Sequence, residues 1–540
     1  MFKKRLLILL IGLISLSILE FQYFYNLIHT PKDSIYLGTV HYPPDYFSYL
    51  SFIAQGKDHI LSSTILYTSE KTPLVLVKWQ YVLIGKLLSV FPLNTGQMYQ
   101  IAVVILTICF IVSGYLLISL LLKKYEERVL AFVFFVSSTM WPVIKIIEGK
   151  LDFSYNYFWY NTGDFFTRFG PTPNHLLGSV LLTSGFILIL HWYKKIQARQ
   201  ILSHLLYCSS FAFIGLTLSS VSPMHWILFT GSLVGLLAII TLRALIIEKK
   251  LVRDFSNYLE PILFIFIGGL SAVLYIQSVY SGFPYDSTKW WEASKQVYMN
   301  FPNLFYSSGI VIPFAALGCY SYFRYKFFKP ERLMILCFIT ISLVFFFTDL
   351  PWKLGTSNVR FWPEGIYALI AVLASKGIFF LTGFAKKAKY FVLIIILLLY
   401  FGTTIPTYIA EIKERSVIDN SSGFLYLPQN IYDAYEFTSK TIKRPGIFLL
   451  PWPYDFSFPA FTGQKSFTGH AISHMTIDAD KKYSLSSQFF SGTLDEKKAQ
   501  EVLRGNGIQY ILIPTRSVIE KYSFLKSLYS KGDAAVFEVR

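Results

Sequence analysis

The chain has 540 residues, 54% of them hydrophobic and 15% charged, with a mean hydropathy of +0.47. That composition excludes an ordinary soluble domain and fits a polytopic membrane protein. The formal net charge of +17 does not mark a nucleic-acid binder, because the basic residues fall in short clusters between apolar runs and not on one face of a soluble domain.

The N-terminal MFKKR and the apolar run behind it have the first two regions of a signal peptide. The large residues that follow, EFQYFYNLIH, offer no small-residue cleavage site, so the segment is expected to stay as a first membrane helix with its N-terminus in the cytoplasm. Glu20, near the far end of that helix, is tolerable there if it faces protein or headgroups.

Eleven apolar segments have about the ~20 residues a bilayer needs: 6–27, 99–122, 129–147, 175–193, 205–221, 224–247, 258–279, 304–322, 333–350, 363–384 and 390–410. A further apolar segment, 74–91, carries Lys78 and Lys86, each costing on the order of 3 kcal/mol at a bilayer centre. Read as an interfacial helix, it leaves every basic cluster on the cytoplasmic side, including Lys123/Lys124/Arg128, Lys194/Lys195/Arg199 and Lys386/Lys387/Lys389. The longer connections, 28–98, 148–174, 281–303 and 348–362, then face outwards, as does everything after 410. The expected fold is a polytopic α-helical membrane domain over 1–410 and a small extracytoplasmic α/β domain over 411–540.

Within the C-terminal part, strand-length runs at 446–450, 508–513 and 534–539 alternate with helical patterns, and Gly507 reads as a helix stop. His470 and His474 are four apart but lack an HExxH setting, so a substrate-contacting or structural loop is expected there in place of a metal site. The sequon-like Asn420-Ser421-Ser422 is too short a pattern to carry weight. All four cysteines, Cys109, Cys208, Cys319 and Cys337, lie in apolar runs without a CxxC pair, which speaks against disulfides and a cysteine metal site. No Walker or GxGxxG loop stands between a strand and a helix, and no repeat of 20 to 50 residues is evident.

The candidate chemistry gathers on the outward connections. In the first, TVHYPPDYFSYLSFIAQG, Pro43 and Pro44 break the chain so that Asp45 stands at the start of a helix, where the dipole keeps it ionised. Asp45 is either a reactive acid or the cap of an interfacial helix, and Asp33 and Glu70 are less favoured acids of the same loop. The second connection holds Asp164 and Arg168, four apart beside eight aromatic rings between Phe153 and Phe166, with His175 heading the next helix. The third, LPWKLGTSNVRFWPEG, brings Lys353 and Arg360. Aromatic faces suit sugars, and the arginine fork suits phosphate. The same residues have plainer uses. The rings belong to interfacial belts, Asp164 and Arg168 pair with each other, and Arg360 snorkels to headgroups.

The pattern resembles the GT-C class of membrane glycosyltransferases, such as the protein O-mannosyltransferases and the aminoarabinose transferases of lipid A. The resemblance rests on Asp45 in PPDYFSYLSFIAQG, the helix after KTPLVLVKW, and Arg360 in NVRFWPEG. It implies a polyprenyl-phosphate-linked sugar as donor, a glycan, lipid or protein acceptor, and Asp45 as general base of an inverting transfer. Arg360, Lys353, Arg168 and His175 would contact the donor phosphate, and Asp164 would orient a substrate. No cofactor or metal is expected. Many members carry two adjacent acids in the first loop, whereas Asp45 is flanked by Pro44 and Tyr46, which bears on donor class and metal use. A flippase of lipid-linked sugars and a non-catalytic surface protein are the alternatives. The near absence of ionisable residues in mid-span counts against a transporter.

Overall fold

The computed structural model describes residues 2–39, 42–155, 158–170, 172–195, 201–248, 255–324, 329–415, 423–443, 445–469, 475–514 and 522–540. His470, His474 and the 420–422 sequon lie outside the described residues. Among the described residues nine helices are long and apolar enough to cross a membrane, or ten if one bent pair counts as a single span. The chain is a multi-pass helical membrane protein. Its contacts divide it into two units: residues 1–19, 103–277 and 289–414 form a helical unit, and residues 20–102, 278–288 and 415–540 form a mixed one. Contacts thus group the first long connection with the C-terminal region, a division that composition alone does not suggest.

In the helical unit, Ile366–Phe384 is the most buried of the spans, and it packs on Val311–Phe323 and Tyr125–Ser137. Two glycines let the first two of these helices touch backbone to backbone. A Cβ on Gly318 would stand 1.7 Å from the Leu373 carbonyl oxygen, and one on Gly377 2.1 Å from that of Phe314. Buried Glu127 pairs with Lys376 at 2.7 Å, so the charge on Ile366–Phe384 is matched inside the protein.

Two expected spans take other forms. Residues 129–147 are not one helix: Tyr125–Ser137 is a 13-residue helix, and Pro142–Ile147 is a strand paired antiparallel with Lys150–Tyr155. Glu148 and Gly149, with φ of 50° and 75°, make the two-residue turn that such a hairpin favours. The β-branched Val143, Ile144, Ile146 and Ile147 around Lys145 favour a strand, a preference that a hydropathy average over the same stretch hides. Residues 304–322 are broken as well. Phe301–Ser308 and Val311–Phe323 meet at 111°, around Gly309 at φ 73°, a conformation that side chains with a Cβ rarely adopt. The segment 74–91 contains a helix of only 10 residues, Trp79–Leu88, about 15 Å long and too short to span by itself.

In the mixed unit, Ser34–Tyr36 pairs antiparallel with Tyr426–Pro428, and Thr39 Oγ1 donates to the Phe424 carbonyl at 2.8 Å. The helix Pro43–Gln55 packs on Tyr454–Thr462 and Trp79–Leu88. Glu20 is buried in this unit, where Gln100 donates to its carboxylate, which is the protein-facing position its sequence context requires. A five-stranded mixed sheet runs in the order Lys465–Ser466, Ile447–Leu449, Tyr510–Ile513, Ala534–Val539 and Leu525–Lys531. Its three expected strands are present, and Lys465–Ser466 and Leu525–Lys531 are additions. The helix Glu496–Gly505 lays Ala499 and Leu503 on the core formed with Leu449, Phe489 and Ile511, and Gly507 follows it at φ 66° as its stop.

Candidate functional site

In the helical unit the richest polar cluster forms where the short 3-10 turn Asn358–Phe361 meets the start of the helix Pro173–Lys195. Ser357 caps that turn by accepting from the Val359 amide, and Asn358 is pinned by its side-chain amide donating to the carbonyls of Val297 and Phe346 at 2.7 and 2.9 Å. The turn therefore has little freedom, and Arg360 leaves it in a fixed direction. Its guanidinium takes a two-point contact from Glu292, Nε to Oε1 at 2.5 Å and Nη2 to Oε2 at 3.3 Å. Nη1 lies 3.2 Å from His175 Nε2. Rings on one side complete the frame, with Tyr160 at 4.5 Å and Trp159 at 4.9 Å from the guanidinium carbon. Arg360 and Glu292 are each 20% exposed, so this is an arginine at a surface, held flat by rings and an acid.

Glu364, four residues on, anchors the other side. Its carboxylate is 1% exposed and accepts from Tyr160 Oη at 2.5 Å and Ser179 Oγ at 2.7 Å. His175 Nδ1 lies 3.6 Å and His225 Nε2 3.9 Å from its two oxygens. A neutral His175 with its proton on Nδ1, toward the carboxylate, presents the Nε2 lone pair to Arg360. Arg360 is hydrogen-bonded to Glu292 and His175, and His175 stands in contact with Glu364.

The other predicted residues fall elsewhere. Asp164 caps the short helix Phe165–Phe169, accepting from the Phe166 amide at 3.0 Å and from the Thr167 amide and hydroxyl at 2.9 and 2.6 Å. Arg168 is fully buried. It donates to the carbonyls of Thr162, Gly163 and Ser138 and lies over the Tyr367 ring at 4.4 Å. Both are committed to the local backbone. Lys353 is exposed at the end of Leu350–Lys353.

Asp45 belongs to the mixed unit. Pro43 and Pro44 are the first two residues of the helix Pro43–Gln55, and Asp45 is the acid of its first turn, favourably set against the dipole. The preceding Tyr42, at φ 46°, supplies no side-chain cap, and Tyr46 is buried with its hydroxyl on the Leu37 carbonyl at 2.8 Å. Asp45 is half-buried. Of the lesser acids, Glu70 is tied to Lys482 at 2.5 Å. Burial raises its pKa, but the Lys482 hydrogen bond and charge hold it below the usual carboxylate range. Asp33 is exposed in a left-handed turn whose carbonyl accepts from the Gln429 amide.

The structure therefore joins Arg360 and His175 with Tyr160, one of the expected aromatic rings, and adds Glu292, Glu364 and His225, which sequence reasoning passed over. Glu364 stood in the motif RFWPEG, four residues after Arg360 and behind a proline, a signal of a fixed turn. Nothing local ties Glu292 or His225 to it.

No protein-family model matches the chain, and no curated protein matches it by sequence. Solved structures do. The oligosaccharyltransferase of Archaeoglobus fulgidus in the apo form superposes with a TM-score of 0.54 at 12% identity, over 94% of this chain and 69% of that one. The archaeal oligosaccharyltransferase AglB from Archaeoglobus fulgidus, in complex with an inhibitory peptide and a dolichol-phosphate, gives 0.53 at 12% identity over the same shares. ArnT from Cupriavidus metallidurans bound to undecaprenyl phosphate gives 0.47 at 11% identity, over 98% of this chain and 97% of that one. The chain shares the fold of these archaeal oligosaccharyltransferase structures.

Proposed function

We propose that the chain is a membrane glycosyltransferase that moves a sugar from a polyprenyl-phosphate-linked donor to a hydroxyl of a glycan, lipid or protein acceptor at the outer face of a cell membrane. The observation that carries this reading is Arg360: a partly exposed guanidinium, oriented by rings and by His175, in a chain with the fold of those oligosaccharyltransferases. A fork held in that way matches phosphate oxygens, and the tyrosine and tryptophan faces beside it match a sugar ring. The donor phosphate is assigned to Arg360, with His175 orienting it and Lys353 adding charge. Asp164 and Arg168 keep the supporting roles their hydrogen bonds indicate.

The proton is assigned to Asp45. As the acceptor oxygen bonds to the anomeric carbon with inversion, its proton passes to the Asp45 carboxylate, and the bond to the lipid phosphate breaks with its electron pair on phosphate. Phosphate is a good leaving group, so no general acid is needed, and a positioned base contributes roughly 10² to 10⁴-fold.

Asp45→Asn tests it, with transfer and donor binding measured on the purified protein. The amide keeps the side chain's size in the first turn of the helix but accepts no proton. Turnover is expected to fall at least about a hundredfold with donor affinity largely kept. Retained turnover would remove Asp45 from the reaction, and absence of donor-dependent transfer by the parent protein would sink the enzyme reading in favour of a flippase.

A further inference from the structure

The helices Ile201–Val221 and Phe255–Val279 are in backbone contact. A Cβ on Gly215 would stand 2.2 Å from the Ile265 carbonyl oxygen, and one on Gly268 would stand 2.2 Å from that of Ala212. Toward the N-terminal end of both helices, that contact brings three side chains together. His204 and Cys208, four apart, share one face of the first helix, and Glu260 faces them from the second. His204 Nε2 lies 3.6 Å from Glu260 Oε2, and the three donor atoms all fall within 4.8 Å of one another.

The surroundings hold this arrangement. The buried Trp192 ring packs on the His204 imidazole at 5.5 Å, and its indole nitrogen donates to the Asn257 carbonyl at 2.7 Å, on the helix that carries Glu260. Trp192 thereby ties both walls of the cluster to a third helix. Glu260 Oε2 is shielded from water without a hydrogen-bond partner, which is costly for a carboxylate oxygen unless a cation takes it. Cys208 is buried, while His204 is half-buried at the rim and leaves a route in.

We propose that His204, Cys208 and Glu260 bind one divalent ion of the zinc class, with a fourth position open to water. One imidazole nitrogen, one thiolate and one carboxylate oxygen form a donor set of mixed softness. Magnesium and calcium take oxygen ligands and leave thiolates alone, whereas zinc accepts all three types tetrahedrally at about 2.0–2.3 Å. Binding forms the metal–sulfur bond as the Cys208 thiol gives its proton to solvent, so occupancy rises with pH. The thiolate and carboxylate neutralise the ion, which suits a site at the end of two apolar spans. Cysteine spacing alone argues against such a site. Its second and third ligand types come from a helical neighbour and from a different span, which spacing between cysteines does not register. The site is independent of the transfer reaction and would staple two spans together.

The full chain, purified in detergent and stripped with a chelator, tests this by titration with Zn²⁺ and with Co²⁺. The expected result is about one ion per chain and a thiolate-to-cobalt charge-transfer band that Zn²⁺ abolishes. Cys208→Ser should remove the band, and His204→Ala and Glu260→Gln should each weaken Zn²⁺ by more than the ~10–100-fold that loss of an outer partner costs. Cys337→Ser, at a buried cysteine on another helix, should leave binding as in the parent. Absence of the band in the parent, or its survival in Cys208→Ser, overturns the proposal and leaves His204 and Glu260 as an ion pair. If Cys208→Ser does not fold, protection of Cys208 from alkylation by Zn²⁺ in the parent decides the matter, and unprotected reaction counts against the site.

Discussion

Arg360 is shared between two claims. Glu292 holds it in a two-point contact, and a lipid phosphate would need the same fork. Since hydrogen bonds to charged groups are worth roughly 1.5–3 kcal/mol, an arriving phosphate competes with Glu292 on nearly equal terms. Three substitutions separate binding from scaffolding. Arg360→Lys keeps the charge but loses the fork, so donor affinity should fall about tenfold, with Arg360→Ala lower still. Glu292→Gln frees the fork and should raise donor affinity instead. Donor titrations on the three variants read this directly. If all three bind a polyprenyl-phosphate sugar like the parent, Arg360 is a structural anchor.

The contact between Val311–Phe323 and Ile366–Phe384 is the element on which the helical unit depends. Neither Gly318 nor Gly377 faces a flexible side chain; each faces carbonyl backbone, at 1.7 and 2.1 Å from an added Cβ. Side-chain repacking cannot relieve that clash, so the helices must separate. Gly318→Ala is therefore expected to cost several kcal/mol, beyond the usual ~1–3 kcal/mol of core overpacking. Thermal unfolding in detergent should move down by many degrees. An unchanged midpoint would mean that the two helices do not pack this closely.

Across the whole molecule, the orientation proposal depends on how the chain crosses between its first two basic clusters. The helix Tyr125–Ser137 covers about 20 Å. Residues 138–140 continue it and are buried; from the extended Ser138 onwards they add roughly 10 Å, which together approach the ~30 Å of a hydrocarbon core. Non-helical backbone at such depth is tolerable only inside protein. Here Arg168 donates to the Ser138 carbonyl, Thr407 to that of Met140 and Tyr408 to that of Ser137. In the proposed crossing, Arg168 satisfies the Ser138 carbonyl. Reporter fusions after Lys124 and Lys195 should both read cytoplasmic, and a fusion after Ala410 should read outside. Opposite sides for Lys124 and Lys195 would overturn both the crossing and the assigned orientation.

The sequence by itself determined what depends on each residue's own surroundings. Lipid acts on every residue of a span separately, so most spans were legible in hydropathy. Pro43 and Pro44 fix φ, so a helix start beside Asp45 was legible as well, although the prolines are the first two residues of the helix and not a break before it, and the alternation of strands and helices after residue 440 follows from local period and Gly507. Tertiary structure alone decided what depends on distant partners. Whether 129–147 spans as one helix turned on a hairpin that its average apolarity conceals, and whether 304–322 stays straight turned on Gly309. The grouping of Arg360 with His175, Glu292, Glu364 and His225, and of His204 and Cys208 with Glu260, joins segments far apart in the chain. No local rule records which buried acid will meet which cation, because that choice is made by helix packing, in which a missing Cβ at Gly215 or Gly318 sets the distance.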